Sequence, residues 1–483
     1  MSMLWSVPVC GLASFILLRR SYVPWHVVLA LAALASPLAP LPAAGTAFGV
    51  VVGLRRGAGE LAPSSWTPRR LSGRRPAVVA AGGLAIGSDA RGALVRIPLR
   101  RDSGAHTLIV GATGSGKTVS QAWILARAID HGHGAVVVDP KGDALLRQVA
   151  SSAALRAGRE FIEWTPGGPA VYNPYAHGSP SEIADKALAG EPYSEPHYLR
   201  QAQRYLAHDA VRALGAVGEV ATPARLLELM DPRELELVAR AIGDDAHARQ
   251  LFGYLDGLDA RQRAGLAGTR DRLAILAESE LGRWLDPRLA GGARSLDLLA
   301  AVRQRAIVYF RLEADRLPLL ARMLAAAVVQ DLLSVAASCQ GTPVPTLVAI
   351  DEFSAISAGG VARLFGRARA AGFSLLLATQ ELADLRSGGG ELLEQVLGNV
   401  ETVVAHRQSV PDSAELVARI AGTRVIWTKT EQLSHSLATG RSTRTRGREY
   451  VIHPDAIKAL APGTAAVAVV SAGHCALARI FHP

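Results

Sequence analysis

The eight residues GATGSGKT, 111–118, constrain this chain more than any other stretch. They fall between an apolar β-branched run, HTLIV at 106–110, and a stretch with helical apolar spacing, VSQAWILARAIDHG at 119–132. A glycine-rich turn joining a strand to a helix lets backbone N–H groups turn inward, and the helix adds its positive end. Together these make a site for phosphate oxygens. The spacing fits G-x-x-x-x-G-K-[ST], with Gly111, Gly116, Lys117 and Thr118 at the defining positions and Ala112, Thr113, Gly114 and Ser115 between them. In such a loop Lys117 reaches the β- and γ-phosphates and Thr118 the Mg2+. The bland alternative is a chance glycine-rich turn, which would have to fall by accident between a strand and a helix.

The rest of the chain supplies a sheet for that loop. Short apolar runs recur at 135–139 (AVVVD), 306–310 (AIVYF), 346–351 (TLVAID), 373–379 (FSLLLAT), 402–406 (TVVAH) and 465–470 (AAVAVV). Continuous apolar strands of this kind are buried on both faces, as in parallel sheets. Between 177 and 302 the pattern changes to helical periods with helix-start signals, Thr222-Pro223 and Asp231-Pro232. No strand is expected there. The fold expected is therefore α/β, with a mainly parallel central sheet and an all-helical domain inserted into it.

A phosphate loop needs a second half, and TLVAIDEF provides it. Asp351 ends an apolar strand, where it would hold Mg2+ through water, and Glu352 is placed to polarise an attacking water. Gln380 follows another core strand. Strand C-termini of a parallel sheet converge on one edge, so Gln380 can touch a γ-phosphate there; a solvent-exposed loop glutamine is the alternative. Arg363, Arg367 and Arg369 crowd one segment, RLFGRARAAGFS. That is ordinarily a solvated helix face, although a ring ATPase needs an arginine that reaches the neighbouring subunit's nucleotide.

The 483 residues suggest more than one domain. Net charge is +10, which favours polyanions such as nucleic acid or anionic lipid, and arginine-rich usage also follows genome composition. Hydrophobic residues make up 49%, and mean hydropathy is +0.20, which points to a membrane segment besides a well-filled core. Residues 4–18 and 26–54 are uncharged apolar runs closed by Arg19-Arg20 and Arg55-Arg56; the second is long enough to span a bilayer. Both arginine pairs ask to be cytoplasmic, so membrane anchoring is expected without a fixed number of passes. Residues 55–76 read as a basic juxtamembrane linker. Cys10, Cys339 and Cys475 have no metal or disulfide spacing. GRSTRTRGREY at 440–450, with Arg441, Arg444, Arg446 and Arg448, reads as a loop that contacts DNA or membrane, or is simply solvated.

These motifs resemble the coupling-protein ATPases of conjugative DNA transfer and type IV secretion, the TraG/TraD kind of the HerA–FtsK group. The resemblance is carried by GATGSGKT, VVVDPKGD (136–143), YNPYA (172–176), GTRDRLAILAESELGRWL (268–285), LVAIDEF, RAAGFSLLLATQ and the block LGNVETVVAHRQSVPDSAELVARIAGT, and it covers about 78–483. It implies a RecA-like P-loop NTPase domain at 78–176 and 303–483, an all-helical insert at 177–302 facing cargo, a linker at 55–77 and a transmembrane helical anchor at 1–54. It implies ATP and Mg2+ as cofactors, with Lys117, Thr118, Asp351, Glu352 and Gln380 in the nucleotide site. Arg369 would be the trans-acting finger, and Asp139 and Lys141 take the DPKGD position without a derived role. The implied protein is a ring motor, a homo-oligomer read as a hexamer, in the bacterial inner membrane with a cytoplasmic ATPase domain. It would move DNA or a relaxase nucleoprotein complex toward a type IV secretion channel. Two other readings stay open: an FtsK-like intracellular DNA translocase, and a nucleotide-gated membrane receptor without turnover. The short segment between the two apolar runs leaves little to project outside the cell, and docking through an acidic tail is not assumed.

Overall fold

In the computed structural model the described residues are 83–190, 193, 195–243, 245–355, 358–386, 391–434 and 437–483. The expected anchor and linker, 1–77, lie outside them. The chain divides into two units, 1–76 with 423–449 and 77–422 with 450–483.

The larger unit is built on one eleven-stranded sheet. Its strands are β1 (Leu84–Ser88), β2 (Leu94–Ile97), β3 (Thr107–Val110), β4 (Gly134–Asp139), β5 (Phe161–Trp164), β8 (Ile307–Arg311), β9 (Thr346–Ile350), β10 (Phe373–Thr379), β11 (Thr402–Ala405), β14 (Thr464–Val469) and β15 (His474–Ile480). They run in the order β2-β1-β15-β14-β11-β3-β10-β9-β4-β8-β5. From β11 to β5 all neighbours are parallel. The run at 465–470 read with the parallel strands, but β14 pairs antiparallel with both β11 and β15.

Alternation along the parallel strands divides the interior in two. Leu108, Val136, Val138, Val308, Phe310, Val348 and Ile350 face one core, and Ile109, Ala135, Val137, Ile307, Leu347 and Ala349 face the other. Side chains of consecutive strand residues point to opposite faces, so a strand whose two faces are both covered must be apolar throughout. The second core is closed by α1 (Lys117–Asp130) and α2 (Ala144–Arg156), through Ile124, Leu125, Ile129 and Leu146. The first is closed by α3 (Pro318–Ser338), which has mean hydropathy 1.7 over its most apolar window. That helix is long and apolar enough to cross a membrane, but 78% of the window is buried within the protein, as suits a core helix.

Residues 180–277 form a run of helices with their own core, including Leu206, Leu214, Leu226, Leu235, Leu251 and Leu273. Local sequence starts them. Thr222 caps Pro223–Glu228 by accepting from the Arg225 N–H, and Asp231 caps Pro232–Ile242 by accepting from the Arg233 N–H. The stretch 177–302 is not strand-free: β7 (Arg294–Leu296) pairs parallel with β6 (Ala170–Tyr172). Three residues with one buried side chain give too little pattern to read as a strand.

A buried ion pair ties these helices to the core. Lys186 on Pro180–Ala187 donates to Asp331 Oδ1 on α3 at 2.6 Å, and the Tyr172 hydroxyl donates to Asp331 Oδ2 at 2.7 Å. Burial raises the Asp331 carboxyl above its ordinary value against the pull of Lys186. Removing one partner of such a pair strands the other charge and costs about 3–5 kcal/mol.

In the smaller unit the described part is a β-ribbon, β12 (Thr423–Ser434) paired with β13 (Leu437–Tyr450). The basic stretch 440–450 is therefore strand, not loop. Its alternating Thr and Arg carry no apolar signal, so the hydrophobic pattern gave no strand there.

Candidate nucleotide site

The turn between β3 and α1 is shaped by its glycines. Gly114 and Gly116 lie in the left-handed region at φ 74° and 110°, and Gly116 caps α1. A Cβ on Gly116 would stand 3.0 Å from the Gly463 amide nitrogen, so any other residue there would be both strained and crowded. No side chain among the described residues caps α1, and its first turn holds no acidic group. That leaves the helix's N-terminal N–H groups and positive end turned to the loop. The loop is held from below: the Gly463 N–H donates to the Ser115 carbonyl at 2.9 Å, and the Ala112 N–H donates to the Arg407 carbonyl at 3.0 Å.

Five side chains from three segments meet at this loop. Lys117 Nζ lies 2.9 Å from Asp351 Oδ1 and 3.2 Å from Glu352 Oε2. The Gln380 side-chain amide donates to Glu352 Oε2 at 3.2 Å, and its backbone N–H to Glu352 Oε1 at 3.3 Å. Thr113 Oγ1 donates to Gln380 Oε1 at 3.4 Å. The topology explains the meeting. Gln380 follows β10, which lies between the loop's strand β3 and the carboxylates' strand β9, and all three end on the same edge. Thr118 occupies the first turn of α1 beside Lys117, partly exposed. Glu352 has φ 44°, left-handed backbone that is uncommon outside glycine and costs about 1 kcal/mol or more. That conformation is maintained while its carboxylate is gripped by Lys117 and Gln380.

The DPKGD stretch, whose role the sequence left open, has a geometric answer. Asp139, buried at the end of β4, accepts from the N–H groups of Lys141 at 2.9 Å, Gly142 at 2.8 Å and Asp143 at 2.6 Å, and from the Tyr309 hydroxyl. Gly142 supplies the φ of 78° that the turn requires, and Asp143 then caps α2 by accepting from the Leu146 N–H. The turn so formed aims Lys141 Nζ at Glu352 Oε2, 3.4 Å away. Asp139 is thus a positioning residue, and Lys141 joins the site.

Charge in the cluster is uneven. Burial pushes the Asp351 carboxyl up, and its neighbours Asp139 and Glu352 add to the push, against the pull of Lys117. Burial would also raise Glu352, but Lys117 and Lys141 outweigh it and hold that carboxyl below its ordinary value. Burial would lower Lys117, but the two carboxylates outweigh it and raise the ammonium. An excess of anionic neighbours favours protons on acid and base alike, so raised values on Lys117 and Asp351 are consistent. Of the two carboxylates, Glu352 is the one held below its ordinary value.

His406, which the sequence reading passed over, packs against the loop. Its Nδ1–H donates to the Thr464 carbonyl at 2.9 Å, so Nε2 accepts from Ser120 Oγ at 2.7 Å. A Cβ on Gly111 would stand 2.7 Å from His406 Cβ. The available signal was its place at the end of the apolar run TVVAH, where a strand delivers side chains to the ligand edge.

Arg369 is not among these residues. It precedes β10, at the opposite edge, where its Nη2 donates to the Asn399 carbonyl at 2.8 Å and lies 3.9 Å from Glu401 Oε1. The seven residues of β10 separate it from Gln380, roughly 20 Å at about 3.3 Å per residue. Arg363 and Arg367 are exposed on the helix Ala358–Ala368. A cavity of about 760 Å3, lined by Asn173, His177, Thr222, Arg225 and Arg288 among others, includes none of the phosphate-loop residues. Volume points away from the loop, but convergent charge at the sheet edge points to it, and charge is what a phosphate ligand reads.

Two family models match the chain. The type IV secretion-system coupling protein DNA-binding domain matches 91–153, and the TraM recognition site of TraD and TraG matches 345–462. No curated protein matches it. Among solved structures, the bacterial conjugative coupling protein TrwBdeltaN70 is similar at 16% identity and TM-score 0.57, over 83% of this chain and 95% of that one. The plasmid coupling protein TrwB in complex with ADP and Mg2+ is similar at 17% identity and TM-score 0.56, over 83% and 90%. VirB4 of Thermoanaerobacter pseudethanolicus is similar at 14% identity and TM-score 0.52, over 84% and 98%. One family model thus lies on the phosphate-loop segment and the other on the segment of the two carboxylates, and the chain shares its fold with the coupling protein TrwB; it is similar in these respects to the coupling-protein ATPases of conjugation and type IV secretion.

Proposed function

We propose that the chain is a membrane-anchored motor that couples ATP hydrolysis to the transfer of DNA, or of a relaxase nucleoprotein complex, toward a type IV secretion channel. The observation that carries this reading is the meeting of Lys117, Asp351, Glu352 and Gln380 beside the uncapped start of α1. The residues fit a nucleotide. The loop offers backbone donors and a helix end to phosphate oxygens, and Lys117 Nζ is the cation poised to bridge them. Thr118 and Asp351 would hold Mg2+, which when bound neutralises charge on the β- and γ-phosphates.

Glu352 distinguishes a motor from a switch. Its carboxylate, held ionised by Lys117 and Lys141 and oriented by Gln380, can accept a proton at Oε2 from a water attacking the γ-phosphorus. Gln380 bridges Glu352 and Thr113 of the loop, so a change at either is felt by the other. TrwB, a similar fold, has been obtained with ADP and Mg2+ and with a non-hydrolysable ATP analogue. We further propose a hexameric ring in the inner membrane with the ATPase domain in the cytoplasm, and with Arg369 of one subunit serving the next.

Phosphate release measured with single-stranded DNA, duplex DNA and no DNA tests this reading. Turnover stimulated by DNA is expected. Lys117→Ala should lose turnover together with ATP affinity, because the ammonium contacts phosphate. Glu352→Gln should lose turnover by at least about 10³-fold while still binding ATP. Equal loss of ATP affinity in both variants would refute the assigned roles, and a wild-type chain that binds ATP without releasing phosphate would favour a receptor.

A further inference from the structure

The ribbon β12–β13 presents one face with an unusual composition. Two contacts fix which residues share a face. Arg424 Nη2 lies 3.1 Å from Glu449 Oε2, and a Cβ on Gly447 would stand 3.8 Å from Ile426 Cγ1. Arg424, Ile426, Gly447 and Glu449 therefore lie on one side. Alternation puts Val425 and Trp427 of β12, and Arg444, Arg446 and Arg448 of β13, on the other. All five are exposed, Trp427 by 65% and Val425 by 45%. Ile426 and Gly447 of the first side are only partly so. The side chain of Arg441 lies outside the described set.

An indole two-thirds exposed thus shares a side with three exposed arginines that make no ion pair among the described residues. Exposed strand arginines two residues apart are spaced by about 7 Å, close to the step between successive phosphates along an extended single strand. Trp427 offers a flat apolar face on which a base can stack, and stacking does not depend on base identity. Guanidinium groups bind phosphate oxygens through paired N–H donors.

We infer that this ribbon face binds single-stranded DNA, with Arg444, Arg446 and Arg448 on consecutive phosphates and Trp427 stacked on a base. The inference rests on the motor reading above and names the element that grips the strand. A duplex would engage the arginines but give Trp427 no open base, so the ribbon prefers a single strand. The preference is for backbone and stacking, not sequence.

The test uses the full chain in detergent and fluorescence anisotropy with labelled oligothymidine and with a mixed-sequence duplex of equal length. Arg444→Glu, Arg446→Glu and Arg448→Glu together should weaken oligothymidine binding by at least about 100-fold. They should also flatten the dependence of log affinity on log salt by about 2, at roughly 0.7 for each phosphate that is no longer neutralised. Lysine at the same three positions should keep most of the affinity. Trp427→Ala should cost roughly ten-fold on oligothymidine and leave duplex binding within two-fold or so. Affinity for a fluorescent ATP analogue identifies folded variants. If the wild-type chain binds neither DNA, the motor reading falls. If it binds DNA and the folded triple-glutamate variant binds equally well, the ribbon assignment falls while the motor reading stands. If the triple variant keeps DNA but no longer floats with phosphatidylglycerol vesicles, the ribbon is a membrane contact and the inference is overturned.

Discussion

The two edges of the central sheet are built from the same seven parallel strands and have opposite characters. At the C-terminal edge, Lys117, Asp351, Glu352, Gln380 and Lys141 close on one another, and Lys117 and the two carboxylates are largely buried. At the N-terminal edge, Arg369 is half exposed, as is Arg100, and both reach the carboxylate of Glu401. Strand ends that converge beside a helix N-terminus bring polar groups from separate strands together at one edge. At the strand starts charge is spread on the surface. One fold thus gathers a charged cluster beside the phosphate loop and leaves Arg369 outside it, about 20 Å away at the other edge.

The strongest way to break this contrast is to remove Arg369. As the finger of a neighbouring subunit, Arg369→Ala should lower turnover by about 10³-fold or more while leaving ATP affinity unchanged. Mixed rings give the decisive readout. A Lys117→Ala subunit keeps its finger, and an Arg369→Ala subunit keeps its pocket, so co-assembly should restore part of the activity at interfaces that pair the two. No recovery in verified mixed rings would mean that Arg369 serves its own subunit, where its contacts with Asn399 and Glu401 are structural.

Lys141 sharpens the contrast from the other side, because it is the exposed cation of the C-terminal edge. It stands 3.4 Å from Glu352 with 44% of its side chain exposed, so solvent screens it and its loss should be mild, within about ten-fold in kcat near neutral pH. Its distinctive signature is in the pH profile. Lys141 helps to hold Glu352 below its ordinary value, so Lys141→Ala should move the acidic limb of kcat to higher pH, and Lys141→Arg should move it back. An acidic limb that does not move would leave Lys141 without a role at Glu352.

Legibility in the sequence followed burial. The strands that carry the site were readable because both faces are covered and the residues are apolar without a break. β5, at the sheet's end, alternates buried and half-buried positions over four residues, Phe161–Trp164, and β6 and β7 have three residues each; none makes a window long enough for a period. β12 and β13 have the length but not the apolar face. The site divides the same way. Lys117, Thr118, Asp351 and Glu352 belong to local motifs fixed by one loop or one strand end. The contact of Lys141 with Glu352, the bridge from Thr113 through Gln380 and the left-handed backbone at Glu352 depend on how strands far apart in sequence come together. So does His406, because a histidine at a strand end is informative only once the strand is known to lie beside the phosphate loop.

The smallest expected effect concerns the two buried histidines, one at each edge. His106 opens β3 at the N-terminal edge, where its Nδ1 accepts from the Leu375 N–H at 3.1 Å and its ring meets Phe365 edge-on. His406 ends β11 beneath the phosphate loop. Burial depresses both, with Arg369 adding to the effect on His106, which falls to about 3, while His406 falls to about 4. Each is therefore neutral in the fold and gains a proton on unfolding once the pH is below the ordinary value of about 6.5. Between the folded and ordinary values the unfolded chain binds more protons, so stability rises with pH across that window and is lost as the pH falls through it. At pH of about 5 each histidine costs roughly 2 kcal/mol relative to neutral pH. The urea midpoint of the wild-type chain, followed by tryptophan fluorescence, should fall on acidification from neutral pH. The fall should be smaller in His106→Asn and in His406→Asn, and smallest in the double variant, because asparagine carries no titrating proton. The two edges then differ in consequence. His406→Asn should also weaken nucleotide binding, because His406 braces the loop, whereas His106→Asn should not. Parallel pH profiles for the wild type and the double variant would show that neither ring is neutralised by its burial.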